Sequence, residues 1–85
     1  MPPITLQNPI IQQKQTYNQK DYFLIKDPND FDNAFFAFEW TVKEGWQDLV
    51  NNWEQIKELE IEYTENGNYK KVVSLYIFQE GEVIL

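Results

Sequence analysis

The absence of cysteine from a chain of only 85 residues is the feature that most limits how this protein can fold. A chain of this length buries only roughly 60 to 65% of the surface that its unfolded form exposes. Small domains often add disulfides or a thiolate metal site to such a core, and neither can form here. Packing must therefore supply the stability. The chain carries six Phe, five Tyr and three Trp, whose side chains each remove roughly 150 to 250 Å² from water, so we expect one folded domain.

Charge is distributed unevenly along the sequence. Fourteen acidic residues face seven Lys, which gives a net charge of −7, and the chain contains neither Arg nor His. Residues 27–69 hold eleven of the acids and only two of the Lys. Nucleic acids and anionic membranes are normally bound by clustered cations. The composition thus argues against direct nucleic-acid binding and against membrane binding.

The distribution of apolar residues along the sequence predicts a soluble protein. The first residues lack a basic segment followed by an apolar one, and no apolar run approaches the ~18 residues of a membrane span. We expect a cytoplasmic protein, a location with which the lack of cysteine is compatible.

Residues 1–20 differ in composition from the rest of the chain. They hold three of the four prolines and an amide-rich polar run over 12–20. This pattern predicts a flexible N-terminal arm that is dispensable for folding, with residues 21–85 as the single domain. The alternative is a segment that becomes ordered on a partner.

The first half of the predicted domain contains one clear strand and one ambiguous segment. An apolar run bounded by turn residues predicts a strand over 21–26. Residues 31–43 fit a half-buried strand, with Phe36, Phe38, Trp40 and Val42 on the buried side, but they also fit a helix ended by Gly45. Aromatic and β-branched residues suit a pleated surface, so the strand is favoured.

The second half gives a more regular pattern. Apolar residues at helical spacing predict an amphipathic helix over 46–57, with Trp46 and Trp53 in the core. Residues 58–63 then alternate, Asn66-Gly67 predicts a hairpin turn, and 69–78 returns as a central strand. Residues 83–85 are a candidate last strand. The predicted fold is α+β, in the order β-β-α-β-β: a four- to five-stranded antiparallel sheet with one amphipathic helix packed on one face.

The side-chain inventory excludes most catalytic sites. Without His or Cys there is no Ser-His or Cys-His nucleophile and no zinc site, and the three glycines form no phosphate-binding loop. The acidic segment 27–33 does not match a calcium loop, because Phe31 occupies the fifth position and Asp32 replaces the glycine at the sixth. We expect no enzymatic activity, no cofactor and no metal.

The acidic residues are the remaining candidates for function. Glu58, Glu60 and Glu62 project from one face of a strand at intervals of about 6.6 Å. They are either a solvated or edge-protecting face or a surface that docks on a cationic partner, for instance as a nucleic-acid mimic. The candidate partner-binding residues are Asp27, Asp30, Asp32, Glu39, Glu58, Glu60, Glu62 and Glu65.

Two functional hypotheses follow. The first is a small acidic regulator or inhibitor, of the immunity or anti-defence type, that binds a basic site on another protein by electrostatic steering. The second is a non-catalytic accessory subunit or structural adaptor whose acidity serves solubility.

Overall fold

The computed structural model of the chain describes residues 3–67 and 69–78. This part of the chain contains six strands, one short α-helix and one 3₁₀ turn. The elements are β1 (Ile4–Gln7), β2 (Ile10–Gln15), β3 (Asp21–Asp27), β4 (Asp30–Phe38), α1 (Trp46–Asn52), a 3₁₀ turn (Trp53–Gln55), β5 (Glu58–Asn66) and β6 (Tyr69–Phe78).

The strands form one mixed sheet in the order β1-β5-β6-β4-β3-β2. All neighbouring strands are antiparallel except β4 and β6, which are parallel. The predicted α+β class is confirmed, but the prediction of four to five antiparallel strands is wrong. The parallel pair arises because α1 carries the chain past the position of β6, and the β5–β6 hairpin then returns β6 to the side of β4.

Two of the six strands come from the segment that was expected to be a flexible arm. β1 pairs with β5, and β2 pairs with β3, so these short strands form the two edges of the sheet. Leu6 of β1 is only 4% exposed and belongs to the core. The amide-rich β2 lacks strong apolar alternation because an edge strand gains much of its stability from backbone pairing.

The hydrophobic core lies between the sheet and α1. Phe23, Phe35 and Ile61 point from the strands toward this layer and are fully buried, as is Leu49 of α1. Trp46 and Trp53 both pack against Phe23, with ring centroids 5.5 and 5.8 Å away. Full burial of each large apolar side chain contributes roughly 1.5 to 3 kcal/mol. The two tryptophans, predicted to lie in the core, are half-buried and pack against it.

The favoured strand over 31–43 is confirmed only in part. β4 ends at Phe38, whose carbonyl oxygen accepts hydrogen bonds from the backbone N–H groups of Thr41 and Val42, each at 3.0 Å. The buried side of the strand was also assigned wrongly, because Phe35 and Ala37 are fully buried and Trp40 is exposed. Val42, beyond the end of β4, is buried as expected. Alternation alone does not state which face a helix will cover.

The remaining predictions have mixed outcomes. The 58–66 and 69–78 hairpin is confirmed as β5 and β6, whereas the helix predicted over 46–57 is α-helical only to Asn52. β6 is central, as expected, but only one of its faces is covered by α1. The strand predicted over 83–85 lies outside the described residues. Among the described residues, no helix has the length and apolar character needed to cross a membrane.

Candidate functional site

The face of the sheet opposite α1, called the open face below, carries the side chains that alternate with the core residues. Phe23 and Phe35 point toward α1, so their neighbours Tyr22 and Phe36 point to the open face. Nothing in the described part of the chain packs across this face as a second layer. It is therefore a broad surface on which another molecule could dock.

Three acidic residues of β5 lie on the open face. Glu58, Glu60 and Glu62, called the acidic stripe below, pair across the strands with Phe78, Tyr76 and Ser74 respectively. The predicted alignment of the three carboxylates is thus present. β6 pairs with β5 along its whole length, but β1 pairs only with residues 58–61, so Glu58 and Glu60 lie inside the sheet and Glu62 lies beyond the β1 pairing.

A fourth carboxylate joins the stripe from the segment before α1. Glu44 forms an isolated parallel bridge with Ser74, and its carbonyl oxygen accepts a hydrogen bond of 3.0 Å from the N–H of Leu75. Sequence reasoning missed Glu44, because a single bridge between distant segments leaves no periodic pattern. The result is a groove of about 260 Å³, the acidic groove, lined by Glu44, Glu60, Glu62, Ser74, Leu75 and Tyr76.

Gly45 holds Glu44 against β6. Its φ of +95° lies in the left-handed region, which residues with a Cβ rarely adopt. A Cβ at this position would collide with the carbonyl oxygen of Leu75 and would lie 2.7 Å from its Cδ1 atom. Glycine is therefore required both for the turn into α1 and for the close approach that forms one wall of the acidic groove.

The structure separates the other predicted acidic residues from the stripe. Asp27, Asp30 and Asp32 lie at the β3–β4 turn, where Asp27 and Asp30 accept hydrogen bonds from the backbone N–H groups two residues on, at 2.9 and 3.2 Å. These contacts are the ordinary turn-stabilising use of Asp.

The last two candidates are also apart from the groove. Glu39 is exposed just after β4, two strands away from β5. Glu65 alternates with the stripe and so projects on the α1 side of the sheet, opposite Lys70.

The other half of the open face is aromatic. Sequence reasoning missed this cluster, called the aromatic ridge below, because it assigned Phe36 and Phe38 to the buried side. The ridge consists of Tyr22, Phe36, Phe38, Trp40 and Tyr69. Its rings are stacked in pairs, with centroids 4.7 Å apart for Phe36 and Tyr69 and 4.8 Å apart for Phe38 and Trp40.

The ridge is half-buried except at Trp40, and lysine side chains lie at its margins. Burial raises the pKa of the Tyr69 hydroxyl above its ordinary value, and the nearby Tyr22 hydroxyl adds to this effect. The Nζ atom of Lys71 lies 5.4 Å from the centroid of the Tyr69 ring, and that of Lys20 lies 5.8 Å from the Trp40 ring. Both distances fall within the range of cation–π attraction.

Tyr76 and Phe78 border the acidic stripe on β6. Their rings contact each other edge to face at 4.9 Å, and their exposed fractions are 57% and 37%. Large exposed aromatic side chains beside charged groups are frequent anchors of protein interfaces.

The carboxylate oxygens of the acidic groove can accept hydrogen bonds from a cationic group. Among the described residues, no three acidic side chains are grouped so that they could hold a metal ion. The carboxylates instead line a groove with a hydroxyl and an aromatic ring, which suits an extended basic side chain. No protein-family model, no curated protein and no solved structure matches this chain.

Proposed function

We propose that the protein is a non-enzymatic binding module whose acidic groove docks on a basic site of another protein. The observation that carries the proposal is that Glu44, Glu60 and Glu62 line one groove together with the exposed ring of Tyr76. Carboxylates accept the hydrogen bonds of an ammonium or guanidinium group. The Tyr76 ring adds an apolar and cation–π surface for the same group.

The position of the stripe favours docking over solubility alone. A strand at a sheet edge needs charges to prevent aggregation, but β1 pairs with residues 58–61 of β5, so Glu58 and Glu60 do not lie at an edge, whereas Glu62 lies beyond this pairing. Like charges on neighbouring positions oppose folding by some tenths of a kcal/mol per close pair. An opposing basic surface would relieve that repulsion and would also speed encounter with the acidic chain. A regulator or inhibitor of the immunity or anti-defence type, including a nucleic-acid mimic, has this chemistry.

The test is quantitative affinity capture from lysate of the source cell with three baits. The first is the parent chain, and the second is the groove variant Glu44→Gln/Glu60→Gln/Glu62→Gln. The third is a matched control, Asp27→Asn/Asp30→Asn/Asp32→Asn, which also removes three negative charges. Each Asn keeps an Oδ1 atom that can accept the hydrogen bonds of the β3–β4 turn.

The proposal expects a protein with a basic surface on the parent and control baits, and its loss from the groove variant. Equal retention of that protein by all three baits would contradict the proposal. Such a result would favour the accessory-subunit hypothesis, in which acidity serves solubility only.

A further inference from the structure

The open face is divided into an acidic half and a half that is aromatic and basic. The acidic stripe lies on β5, one strand from the β1 edge. The ridge lies mainly on β3 and β4, and Lys14 on β2 pairs with its residue Tyr22. Lys20 and Lys71 lie against ridge rings. The chain as a whole is acidic, but this face alone carries two complementary halves.

The ridge has the form of a packing surface rather than a platform for bases. Two rings lying side by side in one plane have centroids more than about 6 Å apart. The centroids of Phe36 and Tyr69 are 4.7 Å apart with an interplanar angle of 9°, so these rings are stacked face to face. Phe38 and Trp40 are stacked in the same way. Stacking covers one face of each ring, and the Nζ atoms of Lys71 and Lys20 lie over the rings of Tyr69 and Trp40, so less ring face is available to a base than the number of rings suggests.

We propose that two copies of the chain form a homodimer in which their open faces pack against each other. A twofold axis between the sheets, parallel to the strands along the β6–β4 boundary, exchanges the two halves of the face. It sets β6 of one copy on β4 of the other and β5 on β3. The acidic stripe of each copy then meets the lysine-bearing half of its partner, and the two ridges meet near the axis.

The strand register supports this alignment along the axis. Phe36 is level with Lys71. Beyond that pair, Tyr22 is level with Phe38, and Glu62 is level with Ser74. Residues 20–22 and 60–62 therefore lie at similar heights on opposite halves of the face. Lys14 and Lys20 of one copy reach Glu60 and Glu62 of the other.

The size of the face is sufficient for a specific interface. Six strands spaced about 4.8 Å apart give a width of about 24 Å, the scale of a surface that buries about 800 Å² on each partner. Exposed aromatic residues on it include Trp40, at 59%, and Tyr76, at 57%. Sheets packed face to face in this way form the interior of β-sandwiches. A twofold interface of this kind is self-complementary.

Sedimentation velocity over a concentration series up to about 1 mM tests the proposal on the chain alone. The parent is expected to shift from monomer toward dimer, and Trp40→Glu is expected to weaken the dimer at least about tenfold. Trp40 is exposed, so its replacement leaves the hydrophobic core unchanged. The variant loses only the near-UV and fluorescence signals of Trp40 itself. A parent that remains monomeric over the whole series overturns the proposal.

Charge reversal gives the sharper test. Glu60→Lys/Glu62→Lys and Lys14→Glu/Lys20→Glu should each weaken the dimer at least about tenfold, and an equimolar mixture of the two should form a heterodimer. The mixture carries the same total charge as two parent chains, so net charge cannot explain the recovery. Asp48→Lys/Glu54→Lys, on the α1 side, is the matched control and should leave the parent dimer unchanged. Failure of the mixture to associate contradicts the proposed axis.

Titration of a labelled single-stranded oligonucleotide with the parent tests whether the open face binds nucleic acid instead of a second copy. Saturable binding by a monomeric parent would assign the ridge to nucleic acid and overturn the dimer. A second copy and the partner of the proposed function would both cover the acidic groove, so they compete for it, and the two proposals fail separately. A monomeric parent whose groove variant still loses a basic partner removes only the dimer, whereas a dimer without such a partner removes only the proposed function.

Discussion

Replacement of Gly45 by Ala should damage both the fold and the acidic groove. The left-handed φ of +95° is strained for any residue with a Cβ, which costs about 1–3 kcal/mol. The new methyl group would also lie 2.7 and 2.9 Å from the Cδ1 and Cγ atoms of Leu75. Forcing a packed side chain aside costs a further 1–3 kcal/mol, approximately. The total loss of about 2–6 kcal/mol is large against the roughly 4–13 kcal/mol expected for a domain of this size.

Gly67→Ala is the matched control for this prediction. Gly67 also has a positive φ, +66°, but no atom lies within 4 Å of the position that its Cβ would occupy. It therefore reports the backbone strain alone, about 1–2 kcal/mol. Urea unfolding followed by tryptophan fluorescence measures both variants. At an m-value of about 1 kcal/mol/M, a loss of 3 kcal/mol lowers the midpoint by about 3 M. Equal losses for the two variants would show that the contact with Leu75 does not constrain the chain.

Two further predictions concern the edge of the sheet and the aromatic ridge. Deletion of residues 1–7 removes β1 and the buried Leu6, so the thermal midpoint should fall by about 10 °C or more. An unchanged midpoint would show that this segment is dispensable for folding. The raised pKa of Tyr69 means that, above the unfolded value of about 10, the folded state holds a proton that the unfolded state releases. Stability present below pH 10 should therefore decline as the pH rises further. Tyr69→Phe should decline less steeply in urea unfolding at alkaline pH, and parallel declines in parent and variant would count against this cause.

The local elements of this fold are largely predictable from the sequence, because hydrophobic period and turn residues specify them. The alternation of Leu59 and Ile61 with glutamates marks β5, and Asn66-Gly67 marks its hairpin. The tertiary arrangement is not specified locally. β1 and β2 are recruited by backbone pairing with β5 and β3, an interaction that leaves little side-chain pattern in short edge strands.

The candidate site also has a part that the sequence predicts and a part that only the tertiary structure shows. The acidic stripe follows from the alternation of a single strand, so the sequence alone aligns Glu58, Glu60 and Glu62. Glu44 reaches the groove only through the parallel bridge to Ser74. The aromatic ridge depends on which face α1 covers, and that choice is made by the packing of Leu49 and both tryptophans rather than by β4 itself.

The central claim is that a partner protein binds at the acidic groove, and site-specific photo-crosslinking tests it most directly. p-Benzoylphenylalanine placed at Tyr76, on the rim of the groove, should crosslink in lysate to a protein other than this chain, at a peptide rich in Lys or Arg. The same group at Tyr17, which is 95% exposed in the turn between β2 and β3, should not capture that protein. Equal capture from both positions, or capture from Tyr17 alone, would contradict docking at the acidic groove.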